Sequence, residues 1–122
     1  MIFNRLGVLT DEVSQNLTEA LDWVVEQKLH HVELRMVYDK NIVNLSDEQL
    51  DNILKEVESR GLFVSGVASP LFKCALDPSR RVASGDMFGQ EEESLEDHFN
   101  KMNRIIEIAR KLKTDKIRIF SF

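Results

Sequence analysis

Residues 17–37, LTEALDWVVEQKLHHVELRMV, change period midway. In the first part Leu17, Ala20, Leu21, Val24, Val25 and Leu29 recur at helical spacing, with Glu19, Asp22, Glu26 and Lys28 between them. That is one apolar stripe on an amphipathic helix. From His31 the period becomes two. Val32, Leu34 and Met36 alternate with Glu33 and Arg35, which places the two sets on opposite faces of a strand. A helix that runs almost without a break into a strand is the second part of a strand–helix–strand unit.

Reading outward on both sides finds more of the same. A first strand is expected at about residues 5–10, around the apolar run LGVLT, followed by a polar loop, DEVSQN. The second strand is expected at about 31–37, followed by a polar connection, YDKNIVNL. Ser46 then opens S-D-E-Q, a capping-box pattern, and Leu50, Ile53, Leu54 and Val57 form the stripe of a second helix. Gly61 sits where a C-terminal helix glycine is expected. A third strand, LFVSGVA, is expected at about 62–68, and then an irregular stretch from Ser69 to about Glu93 with Pro70, Pro78, Gly85 and Gly89. Loops of that length in a compact domain are usually functional or disordered. Ser94 and Asp97 cap a third helix with an apolar face of Phe99, Met102, Ile105, Ile106, Ala109 and Leu112, and KIRIFSF forms a fourth strand at about 116–122.

The order β-α-β-α-β-α-β predicts a single α/β domain over residues 1–122 with a parallel sheet. A (β/α)8 barrel takes about 250 residues, so four units in this length suggest half of one. The last strand is apolar and would lie at an open edge. The expected architecture is therefore a half barrel, either a piece of a larger barrel or one completed by homodimerisation through the edges of the first and fourth strands. The competing architecture is an open flavodoxin-like sheet with helices on both faces.

Composition narrows the class. Of 122 residues 43% are hydrophobic and 30% charged, which suits a globular protein, and the net charge of −5 disfavours nucleic acid as the main partner. The single cysteine, Cys74, permits no internal disulfide and has no histidine nearby in sequence to activate it. No apolar run approaches the roughly 20 residues of a membrane helix, and the first residues do not read as a signal peptide. The expectation is a cytoplasmic protein without a membrane partner.

The stretches GVLTDEVSQNLTEALDWVVEQKLHHVELR, GLFVSGVASPLFK and HFNKMNRIIEIARKLKTDKIRIFSF resemble the N-terminal half of the sugar phosphate isomerase/epimerase family, the xylose isomerase-like TIM barrels. The resemblance implies a divalent metal (Mn, Mg, Co or Zn), a small sugar or phosphorylated ligand, and carboxylates that move a proton beside a carbonyl. In isomerase and epimerase members most metal ligands come from the second half of the barrel. Related DNA-repair members carry histidines after the third and fourth strands. Here those ends read Ala68-Ser69-Pro70 and Phe120-Ser121-Phe122. The expected function is that of a half-barrel relative of these enzymes, inactive as an isolated monomer. The alternatives are a dimeric half-barrel hydrolase of phosphoesters or other activated esters, and a non-catalytic assembly module.

In a barrel the working face lies at the C-terminal ends of the strands. Thr10, Asp11 and Glu12, then Glu33 and Arg35, then Ser69 and Lys73, then Arg118 and Ser121 should fall there. Glu33 is the candidate catalytic residue, a proton acceptor or substrate ligand. The plainer reading pairs it with Arg35 on the same face or with Arg118 across the sheet. Asp11, Glu12, Arg35, Ser69, Lys73 and Arg118 are the candidate substrate-binding residues. Asp11 and Glu12 could equally form a solvated turn, and a lone lysine such as Lys73 is ordinarily exposed. His30 and His31 would point to opposite faces of a strand, and His98 would face solvent or the sheet from the third helix. No metal site is expected from residues of this chain alone.

Overall fold

The computed structural model describes residues 5–77 and 93–121. Four parallel strands form its sheet: β1 (Gly7–Leu9), β2 (His31–Leu34), β5 (Phe63–Ala68) and β6 (Ile117–Arg118), in that spatial order. Between them run α1 (Thr10–Val13), α2 (Leu17–Glu26), β3 (Met36–Val37), β4 (Lys40–Asn41), a 3-10 turn (Ile42–Asn44), α3 (Asp47–Ser59) and α4 (Leu95–Lys111). The protein is thus α/β with a four-stranded parallel sheet. None of its helices, among the described residues, is long and apolar enough to cross a membrane.

Strands that neighbour one another in sequence order demand crossovers of one hand, and right-handed crossovers put every helix on the same face. The core has that form. Leu17, Leu21 and Val24 of α2, Leu50, Ile53 and Val57 of α3, and Ile108 and Ala109 of α4 share one cluster with Val32, Leu34, Val64 and Val67 of the sheet. A flavodoxin-like sheet would split its helices between two faces, so that alternative is overturned. The other face of the sheet bears His31, Glu33 and Phe63, and Phe63 is 55% exposed.

Local signals explain the helix limits. Ser46 accepts from the Gln49 amide while Gln49 Oε1 accepts from the Ser46 amide, and Ser94 and Asp97 repeat the arrangement on α4. Gly61 ends α3 with φ +71, the left-handed conformation that a glycine adopts freely.

Several expected elements are corrected. The second strand stops at Leu34 and not at Val37. Met36–Val37 leaves the sheet and pairs antiparallel with Lys40–Asn41. Tyr38 and Asp39, φ +50 and +62, make the tight turn between them. The polar loop after the first strand is instead the short helix α1, and the fourth strand pairs over only Ile117–Arg118. Most of the long irregular stretch, 78–92, lies outside the described residues.

One irregularity shapes the exposed face. Val32 pairs with Val64, but Glu33 pairs with Gly66, so β5 carries one extra residue, Ser65. Such a bulge re-aims the side chains that follow it. Val64 and Val67 both reach the core, and Gly66 comes to lie beside Glu33 on the opposite face. The Ser65 hydroxyl donates to the Val32 carbonyl at 3.2 Å, across the bulge.

Candidate functional site at the strand ends

The C-terminal ends of the four strands bring most of the expected residues together. Asp11 and Glu12 begin the helix that follows β1, and Arg35 follows β2 directly. Arg35 Nε donates to Asp11 Oδ2 at 2.9 Å, and its Nη2 donates to Asp11 Oδ1 at 3.1 Å and to Glu12 Oε1 at 2.9 Å. Burial opposes the Arg35 charge, but the hydrogen bonds and charges of Asp11 and Glu12 outweigh it and raise its pKa. Arg35 therefore faces the turn after β1, and the expected Glu33–Arg35 pair does not form. The cause is the early end of β2, which frees Arg35 from strand alternation. Thr10 is buried, and its hydroxyl has no partner among the described residues.

Ser69 and Lys73 follow β5. The Ser69 hydroxyl donates to the Arg118 carbonyl at 2.6 Å and accepts from the Leu71 amide at 3.2 Å. It is fully buried and braces β6 against the loop after β5. Lys73 is not exposed, as a lone lysine would be, but 8% exposed. Its Nζ lies 5.2 Å from the centre of the Phe120 ring. Arg118 shares that ring, with Cζ 4.2 Å from the centre, and donates from Nε to the Ser69 carbonyl at 3.2 Å. Two cations on one aromatic ring gain from its electron-rich face, but neither is neutralised by it.

Arg118 is the electrostatically exposed member of the set. Burial lowers its pKa, the nearby Arg35 lowers it further, and Glu33 opposes both. Among the described residues it forms no ion pair, so the expected close contact with Glu33 is not made. Glu33 is exposed and not enclosed, because nothing described covers its face of the sheet. Glu33 and Arg118 instead both line one cleft of about 200 Å³, with Gly66, Val67, Lys116 and Ile117. Gly66 floors the cleft, and a Cβ there would make only ordinary contacts, 3.5 Å from the Lys116 carbonyl oxygen and 3.8 Å from Glu33 Cγ. Ser121 is exposed and outside the sheet.

Sequence reasoning missed Lys116, Gly66 and Phe120 as parts of this region. A glycine inside a strand was the available signal for Gly66. Phe120 gave none, since its role comes from contact with residues of another strand end.

The carboxylates do not assemble a metal ligand set. Among the described residues no three His, Cys, Asp or Glu side chains converge, and both Asp11 oxygens are engaged by Arg35. The cleft lining includes the Glu33 carboxylate, a hydrogen-bond acceptor, and the cationic Arg118, while Lys116, also on the lining, pairs with Asp115 at 3.0 Å. No family model matches the chain, and neither a curated protein nor a solved structure proves similar to it.

Proposed function

We propose that the chain is the first half of a (β/α)8 barrel related to sugar phosphate isomerases and epimerases, and that the cleft lined by Glu33 and Arg118 binds a small phosphorylated sugar. The observation that carries this reading is Arg118, a partly buried guanidinium without an ion-pair partner among the described residues, in one cleft with Glu33. A phosphate meets Arg118, with Lys116 beside it, and sugar hydroxyls donate to Glu33. Glu33 is also the proposed acceptor of a proton from a carbon next to a carbonyl. A divalent metal would need ligands beyond the described residues, so no step is assigned to one. The chain alone is a binding unit and not a turnover catalyst. The sequential strand order and the single helical layer of the described residues support a half barrel, and β1 and β6, the outer strands of the described sheet, are where a second copy would close the ring.

Calorimetric titration with glucose 6-phosphate, glucose and inorganic phosphate tests the binding reading. Glucose 6-phosphate should bind, glucose should bind more weakly, and Arg118→Ala should cost about tenfold or more in affinity for the phosphorylated sugar. Equal binding by wild type and Arg118→Ala, or no binding of either phosphate compound, overturns it.

A further inference from the structure

His98, in the first turn of α4, is only 5% exposed. Its Nδ1 accepts a hydrogen bond from the Phe72 amide at 2.9 Å. A ring nitrogen that accepts carries no proton, so the neutral imidazole holds its proton on Nε2. That Nε2 is buried with no partner among the described residues. Phe72 has φ +62, a backbone conformation that costs a bulky residue strain unless its surroundings hold it. Its ring packs on His98 and Phe99, with centroids 6.2 and 5.1 Å apart. The residue after Phe72 is Lys73, whose ammonium shares the Phe120 ring with Arg118. The residue before it, Leu71, accepts from the Phe120 amide at 2.8 Å. The hydrogen bond to His98 thus fixes the centre of a short loop whose two ends reach the cation cluster.

We propose that His98 is a positioning residue for this loop under proton control: as neutral imidazole it fixes the Phe72 amide and with it Lys73, and when protonated it releases the loop and weakens anion binding beside Arg118. The second half of this inference rests on the anion-binding reading of the cleft. Protonated His98 has N–H groups on both nitrogens, so Nδ1 can no longer accept, and two donors face each other. The new charge is also buried, which is costly. Among the described residues the charged groups near the ring are Asp97 and Lys101 on α4, Glu93 ahead of it, and Lys73 on the loop packed against it. Glu93 is paired with Lys101, so it is not free to neutralise an imidazolium. Burial lowers the His98 pKa, Glu93 and Asp97 oppose that shift, and Lys101 adds to it.

The test follows Phe72 and Lys73 amide exchange by NMR on the full chain between about pH 7.5 and pH 5, where an unperturbed histidine changes charge. After correction for intrinsic exchange, Phe72 protection should fall about tenfold or more in step with the His98 ring titration, read from its own 15N shifts. His98→Gln, whose amide oxygen accepts without titrating, should remove the pH dependence. Sulfate, whose charge is constant over this range, is the anion probe, and its affinity should fall on acidification. Phe72 protection that stays constant through the ring titration overturns the proposal even if the variant does not fold. An identical fall in His98→Gln overturns it as well. Sulfate affinity that rises on acidification indicates simple charge attraction and overturns the coupling to the site. Loss of protection as expected, with no sulfate binding at any pH, upholds the His98 latch and overturns the anion reading instead.

Discussion

Arg35 and Asp11 form a two-point ion pair that joins the first turn after β1 to the residue leaving β2, with the Asp11 side chain 3% and the Arg35 side chain 12% exposed. A carboxylate and a guanidinium so shielded are each costly to leave alone. Glu12 adds a third bond from outside, where its side chain is 61% exposed. The pair ties the C-terminal ends of β1 and β2 to each other.

Asp11→Ala should therefore lower unfolding stability by about 2–3 kcal/mol, because it leaves Arg35 shielded and half-satisfied. Glu12→Ala should cost less than about 1 kcal/mol, since its bond is made in water. Urea denaturation of both variants measures the difference. Equal costs would show that the shielded pair does not tie these strand ends together.

At the other end of the sheet, Gly7 and His31 are in register on adjacent strands. A Cβ on Gly7 would fall 2.2 Å from His31 Nδ1 and 2.9 Å from the His31 carbonyl oxygen. The ring can rotate away, but the carbonyl belongs to the ladder. Gly7→Ala should cost about 1–3 kcal/mol, of the size seen for overpacking. His31→Ala should recover only part of it, because the backbone contact remains. Thermal unfolding of the two single variants and the double variant checks this, and full recovery would place the whole cost on the ring.

The elements legible in the sequence were those that local chemistry decides. The stripes through Leu17–Leu29 and Leu50–Val57 gave their helices, and Ser46 and Ser94 gave the helix starts, because both capping boxes close within four residues. What was not legible depends on partners far along the chain. Asp11, the shielded partner of Arg35, lies 24 positions away, whereas alternation alone points to Glu33. The extra residue at Ser65 exists only relative to β2, and without it Gly66 would not face Glu33. Lys73 and Arg118 come together only because the fold sets Phe120 between them. By its place on α4 His98 is expected to face solvent or the sheet, and nothing within α4 announces that Phe72 will supply its hydrogen bond.

His98 also sets a direction for stability against pH. Its folded-state pKa is lowered from the ordinary 6.5, with burial as the largest cause. The unfolded chain therefore binds the proton first as pH falls. The stabilisation is present in full above about pH 6.5 and is lost as pH drops through the lower folded value. Urea midpoints should fall between about pH 7 and pH 5 in wild type and fall less in His98→Gln. Asp47 also has a lowered pKa, through its hydrogen bond to Arg104, but it acts in the carboxylate range and leaves this window unaffected. Parallel curves for the two proteins would mean that His98 is not the group that titrates.

Phe63 and His31 pack across β5 and β2 with tilted rings, centroids 5.3 Å apart, on the sheet face that no helix among the described residues covers. Parallel sheets are almost always covered on both faces, because their residues lack the polar side that an antiparallel sheet can turn to water. A second copy set edge to edge along β1 and β6 would turn two such faces inward, as in the interior of a barrel. Light scattering after size-exclusion chromatography should then give about twice the 14.1 kDa of one chain. Phe63→Glu should shift the protein to the single-chain mass, because a buried carboxylate without a partner costs several kcal/mol. The same substitution in a monomer would place a charge in water, at a cost within about 0.5 kcal/mol. The two readings are thus separated by one variant. Wild type that runs as a monomer at all concentrations, with stability unchanged by Phe63→Glu, would remove self-association from the account and leave this face open to water.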